Sequence, residues 1–397
     1  MDAQAWQGTI LELPVFDTHT HLSMPGVPIP AQSFWDIAHY FWFQQELWAT
    51  GYPQHAMDLS EAERIARFVA AFAAARNTGW AHIVRRIFRD LYEVELSDAA
   101  SVRAADAAVR AAAAEPNWSR RVVARLGIER IAVNSLRDST FAELPGVGVA
   151  IPLWEEMEAW QTRILQAPSP LSEAEGAREA AHAAVRQLNA MGIRGMRVEA
   201  DPFELGGRAA VMAGTRLAAE GLSKATVATY LTHVLFEALS EQGMFAQLFL
   251  GIERNVTPRT AMAVDDPRRI TALYPLFEMY SCDFELVIGA PGNNLDAAQA
   301  ARIYPNAHLG GLWWYNFRPS TYRQAMQVRL EAVPAMKAAL VASDARCIEW
   351  CYGKILMVKL LLAQFLREQI EHEWIGEDDA LWVARSWLYD AAARRYL

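Results

Sequence analysis

The chain has 397 residues, of which 53% are hydrophobic and 21% charged, with a formal net charge of −9. That balance supports a large buried core and excludes an intrinsically disordered chain. An acidic protein with no basic face is a poor partner for nucleic acid, and any anionic ligand must be held by local arginines.

The N-terminal residues Met1–Leu13 carry acidic groups and no long apolar run, so they do not read as a secretion signal. No stretch approaches the roughly eighteen uncharged apolar residues of a membrane span, and no membrane partner is expected. Cys282, Cys347 and Cys351 have no zinc-finger spacing. They read as reduced, buried thiols in a cytoplasmic protein.

In chain order, the first element is the apolar run Val15–His19, which leads into Asp17-Thr18-His19-Thr20-His21. Side chains alternate along a strand, so His19 and His21 share a face at its C-terminal end. Two imidazoles so placed suit one divalent metal ion. Residues 34–120 read as an all-α insertion, with helices expected at Ser60–Asn77, Ala81–Val94 and Ala99–Glu115. At its start, His39-Tyr40-Phe41-Trp42 is an aromatic cluster. Its plain reading is core packing, but Tyr40 is a general acid or base if it lies near the metal.

Seven further apolar runs follow: Ile128–Asn134, Val147–Leu153, Arg194–Ala200, Phe245–Gly251, Glu285–Ala290, Ala307–Trp313 and Ala339–Asp344. Continuous runs of this kind suit parallel strands buried on both faces. Helices are expected between them, including Glu173–Met191 closed by Gly192 and Lys224–Gln242 closed by Gly243. Eight strands alternating with helices predict an α/β fold, a (β/α)8 TIM barrel. Its parts are residues 1–33 with the first strand and metal motif, the insertion at 34–120, the remaining barrel at 121–348, and C-terminal helices at 349–397 packing on the barrel.

In such a barrel the strand C-termini converge on the active face, and the first and last strands are neighbours. Asp344 ends the last run and there completes a His2Asp set with open positions, although a helix N-cap is its plain alternative. Arg346 follows two residues later and suits a bidentate hold on a substrate carboxylate. Arg197 and Glu199 alternate on one strand, as substrate groups or as a salt bridge. Gln247 and Phe249 share a face of the next strand, with Glu253 and Arg254 just beyond. Trp313 and Trp314 end the seventh run as a pocket wall or as core. His308, at the start of its strand, reads as structural.

These residues resemble the uronate isomerase branch of the amidohydrolase superfamily over nearly the whole chain. Asp17-Thr18-His19-Thr20-His21-Leu22 is similar to that family's Asp-x-His-x-His-Leu. His39-Tyr40-x-Trp42, Trp80-Ala81-His82, Trp313-Trp314-Tyr315-Asn316, Ser343-Asp344-Ala345-Arg346 and the closing Ala391–Leu397 stretch resemble its other signatures. The resemblance implies that His19, His21 and Asp344 hold one divalent metal, often zinc, with manganese or another ion open. It places Tyr40, Arg197 and Arg346 around a sugar acid, with His39, Arg254, Trp313 and Trp314 as further substrate contacts. It implies interconversion of an aldose uronate and its ketose form through an enediol, with Tyr40 and Asp344 moving protons. A small-molecule sugar acid is then the expected partner, and a homo-oligomer is left open.

The match has departures on the catalytic face. Gln247-Leu248-Phe249 stands where the family has Gln-Leu-His, Glu199-Ala200-Asp201 where it has Ser-Asp-His, and Val133-Asn134-Ser135 where it has an acidic Thr-Asp-Asp. A barrel acquires new reactions by changes at this face. The alternative is therefore a metal-dependent hydrolase or lyase acting on another small carboxylate. Retention of His19, His21 and Asp344 together speaks against a non-catalytic binder.

Overall fold

The computed structural model describes residues 2–22, 28–136, 143–198, 222–253, 262–313 and 316–397. The apolar runs pair in parallel, as strands buried on both faces do. β1 (Val15–Thr20), β2 (Ile128–Val133) and β3 (Gly148–Ala150) form one parallel sheet in that order. β4 (Gly195–Val198) and β5 (Phe245–Leu250) begin a second. A small antiparallel hairpin of β6 (Ile252–Glu253) and β7 (Met262–Ala263) follows. β8 (Phe284–Ile288) and β9 (Ala307–Leu312) complete the second parallel sheet, in the order β4-β5-β8-β9. The hairpin is absent from the sequence expectation because two residues per strand carry no periodicity.

The last expected run, Ala339–Asp344, does not form a regular strand. It meets β9 through isolated parallel bridges, Leu309 with Ala338 and Leu312 with Val341, and meets β1 at Thr20 with Ala345. Competition for its backbone groups is the cause. Leu340 N–H donates to Trp387 O at 2.8 Å, Ser343 N–H donates to Asp17 Oδ1 at 2.8 Å, and the Arg329 guanidinium donates to Ala339 O. Main-chain bonds still tie the segment to β1. Thr18 N–H donates to Val341 O at 3.0 Å, Asp344 N–H to His19 O at 2.8 Å, and His21 N–H to Ala345 O at 2.8 Å. Gly311 allows the close approach on the β9 side, since a Cβ there would lie 2.2 Å from the carbonyl carbon of Val341. At the other edges of the two sheets, Arg197 N–H donates to Pro152 O at 3.0 Å.

Between β1 and β2 the described chain is helical: Phe34–Ala38, Phe41–Ala49, Glu61–Ala74, Gly79–Tyr92, Ala99–Ala113 and Trp118–Ala124, with one 3-10 turn at Ala56–Asp58. The helix Lys224–Gln242 has the expected bounds. Gly243 closes it at φ +62°, a left-handed conformation that glycine adopts without strain. The helix Pro170–Ala190 begins three residues before its expected start, because Pro170 sits in the first turn, where its missing N–H costs nothing. Among the described residues no helix is long and apolar enough to cross a membrane.

The C-terminal part consists of helix Ile348–Glu371, helix Glu377–Arg385, a π-turn at Ser386–Asp390 and helix Ala391–Tyr396. The long helix packs against Ala3–Glu12 and Gly79–Tyr92. It carries two fully buried lysines, Lys354 and Lys359. Lys359 Nζ donates to Leu11 O, Leu13 O and Leu126 O at 2.7, 2.6 and 2.7 Å. That satisfies all three ammonium donors and fastens the chain on both sides of β1.

The last helix returns to the sheets. Tyr396 packs with Phe16 and Phe245 and is buried. Its hydroxyl donates to Glu285 Oε1 at 2.5 Å and accepts from Gln247 Nε2 at 2.7 Å. Arg395 pairs with the other oxygen of the fully buried Glu285. Removing one partner of a buried ion pair leaves an uncompensated charge, at a cost of roughly 3–5 kcal/mol. Arg395→Ala is therefore expected to lower the unfolding free energy measured in urea by that much, and Glu285→Gln combined with Arg395→Met to recover most of the loss.

Candidate active site

His19 and His21 leave the C-terminal end of β1 on one face, as strand alternation requires. Asp344 arrives from the segment beside it. Its Oδ1 lies 3.2 Å from His19 Nε2 and 3.0 Å from His21 Nε2. One donor atom from each of the three residues lies within 4.8 Å of the others. His19 Nε2 and Asp344 Oδ1 are buried, yet neither makes a hydrogen bond of acceptable angle among the described residues. Close approach without hydrogen-bond alignment suits ligands aimed at a shared point. Atoms bound tetrahedrally at about 2.0–2.1 Å from one ion lie roughly 3.4 Å apart. The three side chains thus offer a metal site.

Their protonation agrees. Burial pushes His19 down to about 3, so its ring is neutral and carries a free lone pair. Burial pushes the Asp344 carboxyl up, but the contacts with His19 and His21 outweigh it and hold the group well below the usual carboxylate range. An ionised aspartate facing a neutral His19 is the state a cation requires.

The backbone at Asp344 is left-handed, with φ +55°. Aspartate tolerates this better than most residues, but the conformation must be held by its surroundings. Asp344 N–H is bonded to β1, as described above. Tyr40 Oη donates to Asp344 O at 2.9 Å and lies 3.2 Å from Oδ2, and Trp42 Nε1 donates to Oδ2 at 3.0 Å. The insertion therefore grips one carboxylate oxygen while the other faces the histidines. Burial, then the charge on Asp344, raise the Tyr40 phenol well above its ordinary value. Lys354 Nζ donates to Tyr40 Oη at 2.7 Å and also to Ser343 O.

Beneath these, Asp17 Oδ1 accepts Ser343 N–H at 2.8 Å and His19 N–H at 3.4 Å. It clamps the segment ahead of Asp344 to β1. Burial raises Asp17 to about 6, against the lowering effect of the Ser343 hydrogen bond.

One wall is aromatic. The Phe249 ring stands edge-on to His19 at 4.5 Å between centroids and to Trp313 at 4.8 Å. The guanidinium carbon of Arg197, a buried residue on β4, lies 4.5 Å from the centre of the Phe249 ring. So the position where a histidine is expected from the resemblance brings a hydrocarbon ring against His19. Arg346 is exposed, two residues past Asp344. His39 is turned to Tyr52, with Nε2 2.8 Å from its hydroxyl. Gln247 faces Tyr396 rather than the histidines, and His308 Nε2 lies 3.4 Å from Asp283 Oδ2, a structural contact. Arg254, Trp314 and Glu199 lie outside the described residues. A cavity of about 420 Å³ opens beside Trp42, between Trp80, Phe317, Glu46 and Arg318.

Sequence reasoning missed three supporting groups. Asp17 and Trp42 sit inside motifs that were read for other residues. Lys354 carried a fainter signal, one of only three charges, with Glu349 and Lys359, in the apolar run Ile348–Leu362.

The fold and this centre define a class, an α/β scaffold with a His2Asp donor set at a strand end. The particular likeness is to uronate isomerases. The structure of the uronate isomerase from Thermotoga maritima matches with a TM-score of 0.78 at 13% identity, covering 100% of this chain and 97% of that one. The uronate isomerase from Bacillus halodurans matches at 0.75 and 14%, covering 99% and 95%. The glucuronate isomerase from Caulobacter crescentus matches at 0.78 and 14%, covering 99% and 93%. At such identity the likeness is one of fold. No protein-family model and no curated protein sequence matches the chain.

Two predictions follow from the geometry. His19→Ala and Asp344→Asn should each reduce bound metal to a small fraction of an equivalent in a folded protein. Trp42→Phe should weaken metal affinity by roughly 10- to 100-fold, as lost outer-shell hydrogen bonds do, in competition with a chromophoric chelator. The second concerns pH. Asp17 is held near 6 in the fold against an ordinary 3.8. Between those values the unfolded chain loses this proton while the folded one keeps it. Stability present below pH 3.8 is therefore lost by pH 6, about 3 kcal/mol in all. Denaturation midpoints from pH 3.5 to 7 should show this loss in the parent and not in Asp17→Asn.

Proposed function

We propose that the protein is a metal-dependent uronate isomerase-like enzyme that interconverts an aldose sugar acid and its ketose form. The observation that carries this reading is the grip on Asp344. One oxygen faces two histidines and the other is held by Tyr40 and Trp42, within a fold similar to those of three uronate isomerases. We further read the two sheets and the 338–345 segment as one closed (β/α)8 barrel, with residues 34–120 inserted over its mouth and 349–397 packed on it.

Aldose–ketose isomerisation moves one proton between neighbouring carbons while their oxygens exchange a hydroxyl for a carbonyl. A divalent ion, zinc or manganese by its mixed nitrogen and oxygen donors, supplies charge stabilisation for the enediolate. The chain's own residues do the rest. Asp344 moves the proton, and Tyr40, the nearest hydroxyl, supplies the matching hydrogen bond as charge on Asp344 changes. Arg346, exposed and two residues on, takes the substrate carboxylate as a bidentate partner. Arg197 serves the sugar oxygens, and Trp313 and Phe249 exclude water from the His19 side. His39, Arg254 and Trp314 remain proposed substrate contacts. The buried, unpaired cysteines suit a cytoplasmic setting.

The test is to incubate metal-loaded protein with glucuronate and galacturonate in deuterated water. Ketose formation with deuterium at the exchanged carbon is the expected result. No ketose from any hexuronate, with acid, amine or carbon dioxide released from another carboxylate, would establish the hydrolase or lyase alternative instead.

A further inference from the structure

Lys354 is fully buried in the long C-terminal helix, with its ammonium enclosed by aromatic rings. Nζ lies 4.3 Å from the centre of Tyr40, 4.8 Å from Phe317, 5.0 Å from Trp80 and 5.7 Å from Trp350. Among the described residues no carboxylate lies within ion-pairing distance of it. Its hydrogen-bond acceptors are the Ser343 carbonyl and the Tyr40 hydroxyl, the latter at 2.7 Å. Burying a cation costs several kcal/mol unless it is well compensated. Ring faces and two oxygens compensate it here, but a hydrocarbon side chain would fill the same cage without the cost.

The hydrogen-bond directions show what the cation does. An ammonium has three donors and no acceptor. Tyr40 Oη must therefore accept from Lys354, and its own proton must point elsewhere. The remaining partners are Asp344 O at 2.9 Å and Asp344 Oδ2 at 3.2 Å. A tyrosine hydroxyl that otherwise rotates between donor and acceptor roles is locked as a donor to Asp344. Lys354 also bonds the carbonyl of Ser343, directly before the left-handed residue.

We propose that Lys354 is a positioning residue. It fixes the Tyr40 O–H on Asp344 and so sets the orientation of the metal-facing carboxylate; on the proton-transfer reading above, it tunes the step that Asp344 performs. It bonds none of the three metal donors directly and acts through Tyr40.

The test is a double-mutant cycle in the full-length, cobalt-loaded protein with Lys354→Met, Tyr40→Phe and the pair. Met fills the cage without a donor, and the fold is expected to survive. The visible cobalt spectrum should shift alike in Lys354→Met and in Tyr40→Phe, with no further change in the double variant. With sugar acid as substrate, kcat should fall roughly 10- to 100-fold while KM stays within about threefold. If Lys354→Met does not fold, Lys354→Leu, which also has no hydrogen-bond donor, gives the same reading, and the same spectral shift is expected. An unchanged spectrum, or effects of the two substitutions that simply add, overturns the proposal. If the parent isomerises no sugar acid, the proposed function fails while the cobalt cycle still decides the role of Lys354.

Discussion

The site depends on one constraint, the left-handed backbone at Asp344. A β-region residue at this point would carry the 338–345 segment onward as an ordinary strand, with its side chain on a face set by alternation alone. The positive φ turns the carboxylate toward two histidines on the neighbouring strand. Nothing intrinsic to the segment favours that turn strongly. It is held from three directions: by β1 through main-chain bonds, by Asp17 and Lys354 through the peptide groups of Ser343, and by Tyr40 and Trp42 from the helical insertion. The same demands prevent the segment from forming a regular ladder. Loss of regular strand geometry and gain of a preorganised donor set have one cause.

Much of this was legible in the chain. His19 and His21 were readable because strand alternation is a strict period of two. Asp344 was readable because parallel α/β topology brings the first and last runs together. Apolar continuity marked seven strands, and Gly243 marked the end of helix Lys224–Gln242. Other features were not legible, for physical reasons. Phe41–Ala49 has its polar residues, Gln44, Gln45 and Glu46, in one run that spreads around the helix, so no apolar stripe announces it. The direction of Tyr40, the cage around Lys354 and the turning of His39 to Tyr52 arise from packing between elements distant in sequence. Tyr396 looks like the end of an ordinary surface helix until Glu285 and Gln247 are seen beside it.

Phe249 gives the centre its particular character. A third imidazole beside His19 would offer another donor and another site for a proton. A phenyl ring offers neither, and it brings Arg197 over its face. In place of such a donor stands an aromatic boundary with the Arg197 cation behind it. His19 then has little competition for its lone pair, in keeping with its very low basicity. Such a wall narrows the ways in which charge can be handled at this end of the fold, and it leaves more of the work to Asp344 and the groups that hold it.

The donors come from opposite ends of the chain, His19 and His21 on β1 and Asp344 in the 338–345 segment. No local piece of polypeptide contains a competent site. The donors meet only after a loop of more than three hundred residues has closed, one of the longest closures this chain can make. Loop entropy grows slowly with length, so the thermodynamic cost is modest, but contacts so far apart in sequence form late during folding. An ion that binds only the assembled donors adds its binding free energy to that late step. In this architecture an ion bound by those donors would act as a clasp on the chain's topology, and its occupancy would report that the two ends have found each other.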